Sequence, residues 1–564
     1  MRGFSMTILG LTCVAAMGQT PADLVLRNGK IVTVDEKIGE VQALAVRDGR
    51  IVAVGSNDDI DRHIGPATKV IDLKGRLAIP GFIEGHGHFS GIGSAKMQLD
   101  LMHVKNWDEV IEMVKQAVTE AEPGEWIFGR GWHQEKWDKT PSPSVEGFPT
   151  HAALSAVSPN NPVCLRHASG HACFFNAKAM ELAEVDANTK NPPGGEILKD
   201  ANGQPIGVFR ETAQGLVTRV ASASSDDSPA AVEKRLRKQL HLADQECLSK
   251  GITSFQDAGS GFATIDVMKK MAGAGELGVR LWVRILTGNR ALSGNLDKYK
   301  MIGHADDHLT VRAIKRSIDG ALGSRGAWLL EPYADLPSST GLNTTRVESI
   351  AETARLAAAH GYQLCVHAIG DRANREVLDI FERTFRANPE MKDPRWRIEH
   401  AQHLHADDIP RFGKLGVIAS MQGIHCTSDA PWVIARLGRA RAEQGAYVWR
   451  KLMDSGAVVS NGTDAPVEDV DPIRSYYATV SRRLKDGTVF FGDQRMSRME
   501  ALKSYTINCA QAAFEEDLKG TLTPGKLADI VVLSKDILTC PEPEILNAQV
   551  EYTIVGGDIQ YQRR

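Results

Sequence analysis

Leu77-Ala-Ile-Pro-Gly-Phe-Ile-Glu-Gly-His-Gly-His88 is an apolar run that ends in two histidines two residues apart. On an extended strand, side chains at i and i+2 point the same way. His86 and His88 can therefore reach one metal ion from the C-terminal end of that strand. Far along the chain Lys315, His367, His400 and Asp464 each close or follow another short apolar run. No single motif decides the fold, but the series does.

Outward from that stretch, short apolar runs alternate with helical ones. Candidate strands start near Phe82, Thr253, Val279, Leu309, Gln363, Arg397, Gly416 and Ala457, which makes eight. Amphipathic helices fall between several of them, for example Ser349 to His360, stopping at Gly361, and Ala373 to Ala387. Strand and helix in alternation predict an α/β chain with a (β/α)8 TIM barrel over residues 81–514. About 165 residues separate the first two strands, more than one helix and its loops need. An insertion subdomain is expected at about 120–225, overhanging the barrel mouth. It holds Trp126-Ile-Phe-Gly-Arg-Gly-Trp-His133, the Pro141 to Pro149 loop and the segment from Pro162 to His171.

Both chain ends read as β-structure. The runs from Leu24 to Val34 and from Ala43 to Val54 are broken by Asn28-Gly29 and Asp48-Gly49, which predict two tight hairpins. Ala528 to Leu533 and Tyr552 to Tyr561 are further strands that need partners. One small β-sandwich-like domain built from 23–80 and 515–564 satisfies all of them.

The 564 residues are 42% hydrophobic and 24% charged, enough for a large core. Sixty-six basic against seventy acidic residues give a net charge of -4 with no long run of one sign. That lacks the electrostatic footprint of a nucleic-acid binder and points to a small-molecule partner. Residues 1–18 carry Arg2, the apolar stretch from Met6 to Val14 and small residues ending at Gly18, the pattern of a short secretory signal. It is too short to span a bilayer. A periplasmic or secreted location is expected on that reading, and a cytoplasmic one if the segment is only a frayed N-terminus. The eight cysteines include no C-x-x-C pair, and Cys13 would leave with the signal, so the rest read as small buried hydrophobes.

The chain resembles the amidohydrolase superfamily. Pro80-Gly-Phe-Ile-Glu-Gly-His-Gly-His88 is similar to the family's opening motif, with Glu84 where Asp is usual. Lys315 with Asp319-Gly-Ala-Leu-Gly-Ser-Arg325, Val366-His-Ala-Ile-Gly-Asp371, Arg397-Ile-Glu-His400 and Gly462-Thr-Asp464 resemble the branch of N-substituted formamide deformylases, and Leu522 to Asp529 is similar to the tail segment of the family at large. The resemblance implies two divalent ions; imidazole and carboxylate ligands suit zinc, with manganese, iron, cobalt or nickel as the alternatives. His86, His88 and Asp464 would hold one, His367 and His400 the other, and a carbamylated Lys315 would bridge them. It also implies a homodimer.

The residue chemistry agrees, because a lysine carbamate is a carboxylate on a long stem, whereas a free ammonium has no lone pair; a salt-bridged Lys315 is the alternative. Asp464 is the expected catalytic residue. It would take a proton from a metal-activated water and pass it to a leaving nitrogen. His171 and Arg325 are substrate-binding candidates, with a structural role the alternative for each, and Glu211, His133 and His425 are further candidates at the mouth. Trp132 and Trp137 read as packing. The expected reaction is hydrolysis of a non-peptide C–N bond, such as an amide or formamide. Competing readings are a one-metal deaminase, an esterase or lactonase of the same barrel class, and a metal-free barrel that only binds ligand.

Overall fold

Strands β1 (Phe82–Gly87), β2 (Ile252–Ser260), β3 (Arg280–Ile285), β4 (Leu309–Ser317), β5 (Gln363–Ala368), β6 (Arg397–His400), β7 (Ile418–Gln422) and β8 (Val459–Gly462) form the eight-strand path of one sheet. All neighbouring pairs along it are parallel. The structure is a computed structural model that describes residues 20–223 and 228–564. The expected signal at 1–18 lies outside the described residues. Strand β8 meets β1 without a regular ladder. The seam is stitched just beyond it, where the Asp464 N–H donates to the His86 carbonyl at 2.7 Å and the His88 N–H to the Ala465 carbonyl at 2.6 Å.

The eight predicted strands are the barrel strands, and the predicted helices are present as Val347–His360 and Asp371–Ala387. Gly361 ends the first with φ +62°, the left-handed conformation a residue without Cβ adopts at little cost. Apolar residues of strands and helices pack into one large core around the barrel. The barrel interior is polar by contrast. Arg284, Arg397 and Glu399 are each fully buried there, with Gln256 beside them.

Between β1 and β2, a six-stranded sheet runs in the order Gly195–Lys199, Pro205–Glu211, Ala172–Phe175, Val163–His167, Ile127–Trp132 and Leu99–Asp100. Its core contains Trp132, fully buried with its indole N–H on the Leu165 carbonyl at 2.8 Å, while Trp137 packs against it. The chain ends supply two more sheets. In one of them Ile530–Leu533 pairs antiparallel with Leu77–Pro80, so residues some 450 apart share a ladder.

One hairpin expectation fails. Ala43–Arg47 and Arg50–Gly55 pair across Asp48 (φ +50°) and Gly49 (φ +72°), as an Asp-Gly turn should. Leu24–Arg27 and Lys30–Val32, however, lie in different sheets, the first pairing with Ala43–Arg47 and Lys69–Asp72, the second with Glu40–Val41 and Leu77–Pro80. Asn28 is left-handed but Gly29 is not, and a Cβ at Gly29 would lie 2.3 Å from the Leu73 side chain. Close packing of Leu73 uses that glycine to let the chain step between sheets.

The seven described cysteines are unpaired, and all but Cys540 are buried. Among the described residues no helix is long and apolar enough to cross a membrane.

Candidate metal centre

The C-terminal ends of β1, β4, β5, β6 and β8 bring His86, Lys315, His367, His400 and Asp464 together. Ligand atoms of His86, His400 and Asp464 all lie within 4.8 Å of one another, and all three residues are buried. Asp464 Oδ1 is 3.4 Å from His86 Nε2 and 3.3 Å from His88 Nε2. The His367 ring stands 4.5 Å from that of His400, centroid to centroid. His400 therefore joins His86 and Asp464 in the tightest trio, although the family resemblance implies a place for it with His367 on a second ion. His88 is the most open of the set, its side chain 40% exposed.

Backbone conformation aims two of these groups. Arg397 and Glu399, two apart on β6, both reach the barrel interior. Strict alternation would turn His400 outward. Its φ of +75°, followed by +41° at Ala401, brings the ring back over the mouth. Asp464 is likewise left-handed at φ +58°. Non-glycine residues held in this region are costly, and such strain concentrates at functional sites.

Hydrogen bonds fix which ring nitrogens are free. His86 Nδ1 is held by Glu399, and His400 Nδ1 donates to the Gln422 side-chain oxygen at 2.7 Å. Each ring therefore keeps its Nε2 lone pair for the mouth. His86 Nε2, His367 Nε2 and Asp464 Oδ1 are buried and have no hydrogen-bond partner. Burial holds all three imidazoles below their ordinary pKa, with neighbouring Lys315 or histidines adding to the effect, so they stay neutral. Burial would raise the Asp464 carboxyl, but His86, His88 and His400 hold it well below its usual range. Neutral imidazoles and an ionised carboxylate, converging with unmet lone pairs, are the donor set that suits a divalent cation. The residues fit a metal.

Lys315 is 6% exposed, and burial lowers its ammonium to about 8, with Glu399 opposing and Arg284 assisting. Beneath the site Glu399 is ion-paired with Arg397, whose Nε lies 2.9 Å away and whose Nη2 donates to it at 3.4 Å, and it faces Arg284 Nη2 at 3.5 Å. Sequence reasoning quoted Glu399 only as part of a motif. The signal for its role was its spacing of two from Arg397, which puts both on the inner face. Glu84 closes the seam, accepting from the Thr463 N–H at 2.6 Å and the Thr463 hydroxyl at 3.1 Å. Asp319, also quoted only as a motif residue, accepts three backbone N–H groups, from Trp328, Ile369 and Gly370, and ties the loop after β4 to the end of β5.

A cavity opens above the metal centre, walled by the insertion on one side and the barrel loops on the other. His171 lines it, its ring 5.2 Å from that of His367, and its Nδ1 donates to Glu211 at 2.8 Å. His133 and His425 also line it. Arg325 is placed differently. Its guanidinium pairs with Asp335 at 3.1 Å and faces Glu146 at 3.6 Å, while the preceding residues Ala321, Leu322, Gly323 and Ser324 face the cavity.

The chain is similar to known proteins over most of its length. The amidohydrolase family profile matches residues 69–561. The protein LONG AFTER FAR-RED 3 of Arabidopsis thaliana is 34% identical over 96% of this chain and 92% of its own. The N-substituted formamide deformylase of Arthrobacter pascens is 28% identical over 96% of this chain and 98% of its own. The crystal structure of an uncharacterized metal-dependent hydrolase from Pyrococcus horikoshii superposes with a TM-score of 0.73 at 25% identity, covering 92% of this chain and 99% of that one.

Proposed function

The chain belongs to the amidohydrolase family and is a metal-dependent hydrolase, and we propose that it cuts the C–N bond of an N-formyl or N-acyl amine. The observation that carries the reading is the buried trio His86, His400 and Asp464, whose ligand atoms lie within 4.8 Å of one another, with His86 Nε2 and Asp464 Oδ1 lacking a hydrogen-bond partner, beside a cavity that His400 and Asp464 line. The similarity to a formamide deformylase supports the choice of bond.

His86, His88, His400 and Asp464 would hold one divalent cation, zinc by preference, and His367 with a carbamylated Lys315 would extend the site to a second. Such a cation supplies Lewis acidity and lowers the pKa of water from about 15.7 toward 7. Asp464 is ionised and faces the cavity, so it accepts the proton of the attacking water and returns it to the leaving nitrogen. Burial opposes charge on His171, but the adjacent Glu211 prevails and raises its pKa. Its Nε2–H is therefore available to donate to the oxygen of the scissile carbonyl. Glu399 and Gln422 keep the His86 and His400 rings in place. The insertion wall limits access of bulk water.

The decisive experiment measures metal content and amine release from N-formyl and N-acyl amines, with esters and lactones alongside. Chelation and Asp464→Asn should each abolish turnover while the circular dichroism spectrum stays that of the native protein. Full activity after removal of all metal would refute the reading. One ion per chain with unmodified Lys315 would favour the deaminase class instead. We further propose export on the strength of residues 1–18 and a dimeric assembly, checked by sequencing the mature N-terminus and by light scattering.

A further inference from the structure

Two N–H donors come together in the cavity wall, and among the described residues neither donates to a protein acceptor. Trp432, on the helix Gly423–Leu437 after β7, is 4% exposed, and its Nε1 is buried without a partner. An indole N–H can only donate. His133, from the insertion, is 7% exposed and packs on Trp432 with ring centroids 4.8 Å apart. His133 Nδ1 accepts from the Glu135 N–H at 3.3 Å, which places the ring hydrogen on Nε2. A Cβ built on Gly323 would lie 3.2 Å from Trp432 Nε1 and 3.7 Å from His133 Nε2. Both nitrogens thus lie beside Gly323, where the lack of a side chain lets a substrate group approach the backbone. All three residues line the cavity above the metal centre.

We propose that Trp432, His133 and Gly323 form a recognition subsite for an uncharged carbonyl-type oxygen on the part of the substrate remote from the bond that is cut. This rests on the hydrolase reading for the position of the scissile group. A single oxygen seated near Gly323 is within hydrogen-bond reach of both donors, whereas an apolar group there leaves both unmet. Local charge favours a neutral acceptor over an anion. Arg436 is paired with Glu135 and Asp335, and Lys136 with Glu468, so the acids already outnumber the bases before Asp429 is added. Apolar neighbours Leu322 and Ile369 strengthen a neutral hydrogen bond by excluding water. His133 itself is neutral, because burial and the nearby cations hold it well below its ordinary pKa.

The test compares two near-isosteric probes, N-formyl-4-acetylbenzylamine and N-formyl-4-isopropylbenzylamine, on the metal-loaded protein. The ketone should be preferred about tenfold in kcat/KM, expressed in KM, because the hydrocarbon buries two unmet donors. Trp432→Phe keeps an aromatic ring and removes the donor, and Gly323→Ala adds a methyl group that crowds the oxygen's approach. Trp432→Phe should bring the two probes to within about twofold of one another by lowering the value for the ketone, whereas Gly323→Ala should weaken both, because its methyl group crowds the position that either group would occupy. Equal use of both probes by the wild-type protein, or a parallel fall for both in Trp432→Phe, overturns the proposal. If neither probe turns over, calorimetric Kd values on the same proteins replace kcat/KM. A tenfold preference in binding without turnover then supports the subsite and refutes the hydrolase reading, and failure of both probes to bind overturns the subsite.

Discussion

Replacing Glu399 by glutamine removes one negative charge and almost no volume from beneath the metal centre. The carboxylate is fully buried, lies 2.9 Å from Arg397 Nε and 3.5 Å from Arg284 Nη2, and holds His86 Nδ1. Burial alone would raise its pKa, but the two guanidiniums and His86 hold it well below the usual carboxylate range. In the variant, two buried cations keep their partners on Gly85, Gln256 and Ser420 but lose the compensating charge. Breaking a buried ion pair in this way costs about 3–5 kcal/mol. A weakened anchor on His86 should lower metal affinity by about 10–100-fold. Urea unfolding of chelated protein reads the first effect alone. In the metal-loaded protein the weaker binding adds about 1.4–2.7 kcal/mol to the loss. Competition with a chromogenic chelator checks the affinity directly. A variant less than about 1 kcal/mol below wild type with unchanged metal affinity would refute the reasoning.

Glu84→Asp restores the family's usual residue yet should destabilise the protein by about 1–3 kcal/mol, because the shorter side chain withdraws from the Thr463 N–H and leaves the β8–β1 seam unmet; equal denaturation midpoints would count against that role. Lys315 titrates near 8, so at fixed dissolved CO2 its reactive neutral amine grows as pH rises. Reactivation of metal-free protein by zinc and bicarbonate should then quicken about tenfold from pH 6 to 7 and level off above pH 9, and a flat profile would remove the carbamate from the mechanism. Arg450, with Ser497 assisting against a smaller burial effect, pulls the Glu500 carboxyl from its ordinary 4.5 down to about 2. A depressed carboxylate stabilises above the unfolded value and loses its contribution as pH falls from about 4.5 to about 2. Glu500→Gln should therefore cost about 1 kcal/mol at pH 7 after solvent screening and nothing near pH 2, as read by thermal melts across that range.

Much of this protein is legible along the chain. Short apolar runs between helical stretches locate all eight barrel strands, and the i, i+2 spacing of His86 and His88 marks the metal centre, because alternation on a strand is a property of the backbone itself. Asp48-Gly49 likewise forms its turn from its own dihedral preferences. Tertiary structure decides what depends on distant partners. Asn28-Gly29 carries the same turn chemistry, yet Leu73 packs against Gly29 and sends the two strands to different sheets. Alternation would have turned His400 away, and only the left-handed backbone at the end of β6 returns it to His86 and Asp464. Arg325 ends in ion pairs with Asp335 and Glu146, while Trp432 and His133, some 300 residues apart, meet over Gly323. Local periodicity tells each side chain which way it faces. Closing the barrel and laying the insertion over its mouth determine what it meets there.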